Sequence, residues 1–348
     1  MKIRIVSYED VKGWILGKFA LNLEKHLKEM GHDVDIAKVP DPTADINHHI
    51  IFLDYKIDQI TNSDTLMITH IDDVTKLSLV KNKLRFASAG ICMSKETMNN
   101  LIKAGISNDK LFYVNPAHDG IFVPRKIVIG ITSKMHPDGR KREGLLLEVA
   151  KYITPKLFKL KIMGEGWERI VVELRRLGFE VEYLEKFDYQ MYISFVPSLD
   201  YYLYMGQDEG SMGFVDALAA GVETIVTKQG YHLDAPNGLV YGFDSKEELI
   251  EIFKNIENKK QVLINSVSTW TWGDYAIKHL EIWEYLFSKN RASSKYIDGL
   301  NSNLNSTKLN KYDKILYEIN LYKIMFSRFF YSIDKAGKIK RRLKRLLK

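Results

Sequence analysis

The stretch that most constrains the fold runs from Asp200 to Gly230, DYYLYMGQDEGSMGFVDALAAGVETIVTKQG. Tyr201 to Met205 is a short apolar run, and Gly206, Gln207, Asp208, Glu209 and Gly210 form an acidic turn after it. Met212, Val215, Leu218 and Ala219 then follow helical spacing, Gly221 stops the helix, and Glu223 to Thr227 reads as a strand. Strand, glycine turn, helix and strand in succession require a parallel sheet with its crossover helix. Two antiparallel neighbours would need only a tight turn.

The same alternation extends over most of the chain. Lys2 to Ser7 is a strand candidate, Gly13 to Gly17 a turn, Ile15 to Met30 an amphipathic helix and Val34 to Val39 a second strand. Ile50 to Leu53, Leu66 to Ile71, Ala89 to Met93 and Lys110 to Val114 are further strands, with Ser94 capping a helix over Lys95 to Ala104. A second series opens with the strand Lys126 to Ile131 and continues through the helix Leu145 to Tyr152 and the strand Leu160 to Met163. The helix Trp167 to Leu177, the strand Val181 to Leu184 and a short helix Tyr189 to Val196 follow. With 348 residues, the chain is long enough for two such α/β domains.

Two places carry anion chemistry. The helix that begins near Ser211 leaves backbone N–H groups free at a partly positive end, which suits a diphosphate. Gly210 and Gly213 let backbone approach a ligand, and Ser211 and Met212 lie between them. Further back, Lys134, Arg140, Lys141 and Arg142 surround the turn Pro137-Asp138-Gly139. Asp216, along the helix, offers a carboxylate to sugar hydroxyls. A phosphate site flanked by two carboxylates fits a nucleotide sugar better than a free nucleotide.

These residues resemble the donor motif of retaining GT-B glycosyltransferases, especially the large family-four group. Glu209-Gly210 is similar to that motif's first acid and turn, and Asp216-Ala217-Leu218-Ala219-Ala220-Gly221 to its second acid and helix end. The spacing between the acids is one residue short of the family's. Anchoring on Gly221 makes Asp208 the first acid instead of Glu209. Met205-Gly206 stands where the family has Pro-Ser. Gly31-His32-Asp33-Val34, Asp119 with Phe122-Val123-Pro124, and Arg140-Lys141-Arg142-Glu143-Gly144 also resemble family segments.

The resemblance implies two Rossmann-like α/β domains facing a cleft. It implies an N-terminal acceptor-side domain over 1–124, a nucleotide-sugar domain over 125–272 and a helix over 273–290 crossing back to the first. It places Gly13, Trp14 and His70 near the active cleft, with His70 donating to a sugar hydroxyl or phosphate oxygen. Lys134 and Lys141 neutralise the diphosphate, with Lys where the family has Arg at the first position. Glu209 binds the donor sugar and Asp216 the ribose. Tyr231 to Asp234 lies where family loops close on the nucleotide. No metal or cofactor is implied. The expected reaction is retaining transfer of a hexosyl group to a saccharide or lipid-linked acceptor of the cell envelope. A nucleotide-sugar epimerase and a non-catalytic GT-B-like partner subunit are the rival readings.

Composition sets outer bounds. Cys92 is the only cysteine, which excludes an intrachain disulfide and fits a reducing compartment. The N-terminus lacks the apolar core of a signal peptide, and no run is long enough to span a membrane. Residues 335–348 hold eight Lys or Arg and no acid. Removing those charges from the net +7 leaves −1 for the rest, so the body does not read as a nucleic-acid binder. After a Ser/Asn-rich linker over 291–311, residues 312–348 read as an amphipathic basic tail. Such a tail suits an anionic membrane surface and a peripheral position on its cytoplasmic face. His48-His49 lacks a third ligand at metal spacing, and Asp33-Val34-Asp35 begins a strand, at the wrong sheet edge for a metal-nucleotide site.

Overall fold

The structure is a computed structural model that describes residues 1–287 and 315–329. It divides into two compact units, one of residues 1–120 and 269–348, the other of 121–268. In the first, β1 (Lys2–Val6), α1 (Ile15–Glu29), β2 (Asp33–Ala37), β3 (Ile46–His49), β4 (Asp64–Ile68), α2 (Val74–Lys83), β5 (Ala89–Cys92), α3 (Lys95–Lys103) and β6 (Leu111–Tyr113) follow in order. They build a six-stranded sheet in the order β2-β1-β3-β4-β5-β6. All its pairings are parallel.

The second unit contains β7 (Ile127–Thr132), α4 (Gly144–Ala150), β8 (Phe158–Met163), α5 (Glu168–Arg176), β9 (Glu180–Leu184), α6 (Tyr189–Phe195), β10 (Tyr201–Tyr204), α7 (Met212–Ala219), β11 (Glu223–Thr227), β12 (Tyr241–Phe243) and α8 (Lys246–Asn265). Its parallel sheet runs β12-β11-β10-β7-β8-β9. Counted within the unit, that is the doubly wound order of dinucleotide-binding sheets, with the reversal between β7 and β10. The two Rossmann-like units expected from the sequence are therefore present.

Why these segments form strands is visible in their burial. β4 (DTLMI) and β5 (AGIC) are buried along their whole length, as central parallel strands covered by helices on both faces must be. In the second unit, Leu146, Val149, Ile170, Leu174, Leu249 and Phe253 pack one face of the sheet. Phe195, Phe214 and Ala217 pack the other.

Two expectations are corrected. The third strand is Ile46–His49, and the apolar run expected to form it turns into a 3₁₀ segment at Phe52–Asp54. Asn47, His48 and His49 disguised the strand, because they are polar letters in fully buried positions. Their groups find partners inside: Asn47 Nδ2 donates to the Asp41 carbonyl, and His48 Nδ1 meets Thr65 Oγ1 at 3.0 Å. Gly17 lies inside α1, not in a turn; a Cβ there would come within 2.0 Å of the Val11 carbonyl oxygen, so glycine is what lets this helix approach the preceding loop. β12 and α2 carry too little periodic signal to have been expected.

After the second unit the chain returns as α9 (Trp272–Phe287), which packs on α1 in the first. Phe19 meets the Trp272 and Tyr275 rings edge-on at 5.1 and 5.6 Å. A further helix, α10, spans 315–329. Its Leu321 is buried in the first unit's core, and Tyr317 packs beside it. The expected linker over 291–311 and the basic cluster over 335–348 lie outside the described residues.

α9 also buries His279 against His48 and Trp283, with ring centroids 5.1 Å apart for the two histidines. His48 Nε2, His279 Nε2 and Trp283 Nε1 meet no hydrogen-bond partner among the described residues. Burial pushes the His279 imidazole down to about 4 and holds His48 well below its ordinary value. Both rings are thus neutral in the folded state, whereas the unfolded chain protonates them near 6.5. Stability is fully present above that value and falls as pH drops toward 4. His279→Phe should flatten this dependence, removing about 2–4 kcal/mol of acid lability between pH ~6.5 and ~4. Urea titrations of both proteins across that window check it; an unchanged slope would exclude the His279 contribution.

Candidate functional site

In a doubly wound sheet, ligands collect beyond the carboxyl ends of the strands where the order reverses. In the second unit that place holds a cavity of about 430 Å³. Thr132 and Ser133 at the end of β7, Met163 and Gly164 at the end of β8, and Ser211 to Gly213 at the start of α7 line it. Lys134, Glu165, Asp216 and the aromatic residues Phe187, Tyr189 and Tyr192 complete the wall.

The floor is built by close backbone approaches. Gly164 has φ +141°, and a Cβ on it would lie 2.2 Å from the Ser133 carbonyl oxygen. That carbonyl also accepts the Trp167 indole N–H at 2.7 Å, and Met135 N–H donates to the Glu165 carbonyl at 3.0 Å. The loop bearing Lys134 is therefore tied to the loop after β8. The ammonium of Lys134 pairs with Glu165 at 2.5 Å at the cavity edge, where both side chains are largely exposed.

The start of α7 is held by His232. Its Nδ1 lies 2.9 Å from the Thr227 carbonyl, so that nitrogen donates, and Nε2 accepts the Ser211 N–H at 3.1 Å. The ring is fully buried, and burial lowers its pKa, which keeps it the neutral tautomer this arrangement needs. Ser211 Oγ bonds Tyr202 Oη at 2.5 Å, and Tyr202 Oη bonds Thr132 Oγ1 at 3.0 Å. Of the first amides of α7, Ser211 N–H is thus committed internally. Gly213 is needed for a related reason: a Cβ there would meet Tyr202 Oη at 2.3 Å and Thr132 Oγ1 at 2.4 Å. Gly210, at φ +126°, would collide with Tyr231 and His232. What approaches these glycines most closely is the protein's own aromatic shell.

The basic loop folds into a second cluster. Lys141 Nζ donates to Asp208 Oδ2 and Tyr204 Oη, both at 2.6 Å, and lies 4.9 Å from the centre of the Tyr204 ring. Tyr204 Oη and the Gly210 N–H donate to Asp208 Oδ1. Burial opposes the charge on Asp208, but these donors outweigh it and hold its carboxyl below the usual range. Arg140 Nε stands 3.8 Å from the same carboxylate. Arg142, in the left-handed region at φ +51°, donates Nε–H to the Met205 carbonyl at 2.6 Å. Arg142 thereby anchors the loop to the end of β10.

Of the two candidate first acids, Asp208 sits inside this cation cluster, whereas the Glu209 side chain is exposed and its carbonyl accepts the Tyr231 N–H at 3.2 Å. Asp216 accepts the Tyr192 hydroxyl at 2.6 Å, and burial together with that carboxylate raises the Tyr192 phenol well above its ordinary pKa. The structure thus brings Lys134, Ser211, Met212, Gly213 and Asp216 to one cavity, and groups Arg140, Lys141 and Asp208 beside Tyr204. Gly13, Trp14 and His70 belong to the first unit. Gly13 has φ +93°, and Trp14 in extended conformation precedes α1. His70 Nε2 lies 3.1 Å from Lys76 Nζ and 3.7 Å from Asp72.

No family model and no curated protein matches the sequence. Solved structures with similar folds include HepE (Alr3699) of Anabaena in complex with UDP and glucose. It is 14% identical, matching 88% of this chain and 100% of that one with a TM-score of 0.32. The apo form of the lipopolysaccharide outer core galactosyltransferase WaaB is 12% identical over 81% and 99% of the two chains, with a TM-score of 0.33. A glycosyltransferase from Rickettsia africae is 13% identical over 83% and 99%, with a TM-score of 0.32. At such TM-scores the chemistry has to be argued from the geometry of the site itself.

Phe187, Tyr189 and Tyr192 were not expected as site residues. Their only sequence signal is aromatic density after β9, which is common in ordinary cores. The Phe187 and Tyr192 rings lie 5.3 Å apart on the cavity wall. Thr132 and Tyr202 were missed too, because they act by supporting α7, and Ser133 because its carbonyl serves Trp167 and the loop after β8. Replacing His232 by Leu leaves the Ser211 N–H without its partner, while the Thr227 carbonyl keeps the Gln229 N–H. The expected cost is about 1–3 kcal/mol, measured as a shift in the urea midpoint; a change within ~0.5 kcal/mol would show that α7 is held by other contacts.

Proposed function

We propose that the chain is a glycosyltransferase of the GT-B type. In this reading the second unit binds a nucleotide-diphosphate sugar, and its sugar passes to a saccharide or lipid-linked acceptor. The observation that carries it is the cavity at the β7/β10 reversal, which combines an aromatic wall, a helix start, a lysine and a carboxylate. Phe187 and Tyr189 offer faces for a base. Asp216, on exchanging the Tyr192 hydroxyl for a ligand hydroxyl, takes the ribose. The N–H groups of Met212 and Gly213 at the start of α7, together with Lys134, face the diphosphate.

Lys141 supplies the larger electrostatic effect when the leaving diphosphate develops charge. Asp208 neutralises it, so a diphosphate must compete with a carboxylate for the same ammonium. Glu209, exposed on the turn, is the group assigned to the donor sugar hydroxyls. Retention of configuration and independence of a metal belong to this proposal, as does a role in envelope polysaccharide or glycolipid synthesis at the cytoplasmic face of a membrane.

The pairing of Lys141 with Asp208 also favours one second reading, a GT-B-like partner subunit that binds a nucleotide without turning it over. Thermal shift against a panel of nucleoside diphosphates and their sugars separates the possibilities. One base should raise stability selectively, by about 2.7 kcal/mol at a hundredfold excess over Kd. Lys134→Ala and Asp216→Ala should each weaken that ligand about 10–100-fold, the range for hydrogen bonds to charged groups. Absence of any shift would overturn the donor site. Binding without hydrolysis or transfer to any saccharide would favour the non-catalytic subunit.

A further inference from the structure

The first unit has a second cavity, of about 510 Å³, that the donor reading leaves unused. Ile15, Leu16, Phe19, Met93, Ala117 and Trp272 make most of its wall. Polar groups reach it at few points. Lys18 is engaged by Asp119, which also accepts the Trp272 indole N–H at 2.9 Å. His70 contributes a ring nitrogen beside Lys76. A cavity of this size and mainly apolar lining suits an apolar chain.

What lies beside it decides where such a chain comes from. α10 runs along the same unit, with Glu318 paired to Lys81 and Arg328 paired to Asp72. Asp72 is also bound by Lys76 at 2.5 Å and lies 3.7 Å from His70, a cavity residue. The carboxyl end of α10 therefore stands next to the cavity. Ile315, Ile319, Tyr322 and Phe326 recur on this helix at i, i+4, i+7 and i+11, each at least 43% exposed. That is a continuous apolar stripe on one side, while Leu321 faces the core. No acid interrupts the stripe, and the only acid of the helix, Glu318, is paired. The sequence beyond it carries eight Lys or Arg and no acid over 335–348.

We propose that the first unit seats on an anionic bilayer through the α10 stripe and admits the apolar chain of a membrane lipid into this cavity. At its edge Lys76 and Arg328 bind Asp72, Asp73 caps α2 beside them and Lys18 pairs with Asp119, so these cations are matched by acids and the attraction to an anionic surface comes from the basic segment over 335–348. Taken with the donor reading, on which this step rests, the acceptor is a lipid-linked one presented from the membrane. A second copy of the chain is the competing occupant of the stripe. The charge pattern favours the bilayer, because two copies would bring two basic segments together.

Flotation of the full chain with phosphatidylcholine vesicles, with and without about 30 mol% phosphatidylglycerol, tests the seat. Binding should require the anionic lipid. It should fall at least tenfold both in the Ile319→Glu/Phe326→Glu double variant and on removal of residues 335–348. Both positions are exposed, and unchanged circular dichroism and nucleotide response would show that the fold and the donor site survive.

Phosphatidylglycerol with brominated chains tests the cavity, since bromine quenches tryptophan on contact and Trp272 is in the wall. Wild type should be quenched. Ala117→Phe, which fills the cavity, should bind vesicles equally but lose most of the quenching. Equal binding to neutral vesicles, or stripe variants that bind normally, would overturn the seat. So would a dimer that the double variant dissociates, with no vesicle binding. Quenching unaffected by Ala117→Phe would overturn the cavity. None of these outcomes touches nucleotide binding in the second unit, so failure here is separable from failure of the donor reading.

Discussion

The His232 imidazole is the tie on which the second unit's site depends. It bridges the Thr227 carbonyl at the end of β11 and the Ser211 N–H at the start of α7. A parallel sheet positions its helices only loosely through apolar packing, which has no preferred angle. A buried, directional bond at the helix start removes that freedom. Tyr202 and Thr132 extend the tie to β10 and β7 through two hydroxyl contacts. The amides of Met212 and Gly213 and the carboxylate of Asp216 inherit their positions from this chain. The cost is a buried histidine that must remain neutral.

The charges around the site are arranged by the same logic of satisfied burial. Lys141 has only 14% of its side chain exposed, and an unpaired ammonium there would be expensive. Asp208 and Tyr204 supply its partners and offset that cost. Lys134 differs, because it and Glu165 are exposed and their pairing adds little stability. Two lysines of similar appearance in sequence therefore have different tasks, one embedded and one at the rim.

Much of the scaffold was legible in the letters. The strands IVIGIT and ETIVT, the glycine after each helix, and the helical spacing of Met212, Val215, Leu218 and Ala219 all follow from backbone and burial rules that act over short distances. Ile46–His49 was not legible, because INHH violates the rule that buried strands are apolar. Asn47 Nδ2 and His48 Nδ1 find partners in Asp41 and Thr65 on other segments, whereas His48 Nε2 meets none among the described residues. The site divides in the same way. Lys134, Ser211, Met212, Gly213 and Asp216 were found from their local pattern, whereas Phe187, Tyr189 and Tyr192 come to the cavity from a different crossover.

The sequence by itself determined the alternation of strands and helices, the division into two α/β halves and the helix start near Ser211, since periodicity and helix termini are local properties. Only the tertiary structure decided which acid meets Lys141, with Asp208 in the cluster and Glu209 exposed. It also decided that Gly213 makes room for Tyr202, and that α10 lays an apolar stripe beside a cavity in the first unit. Each of these depends on distances between segments far apart in the chain. Such distances are set by packing and hydrogen bonding across the sheet, and no spacing rule along the sequence encodes them.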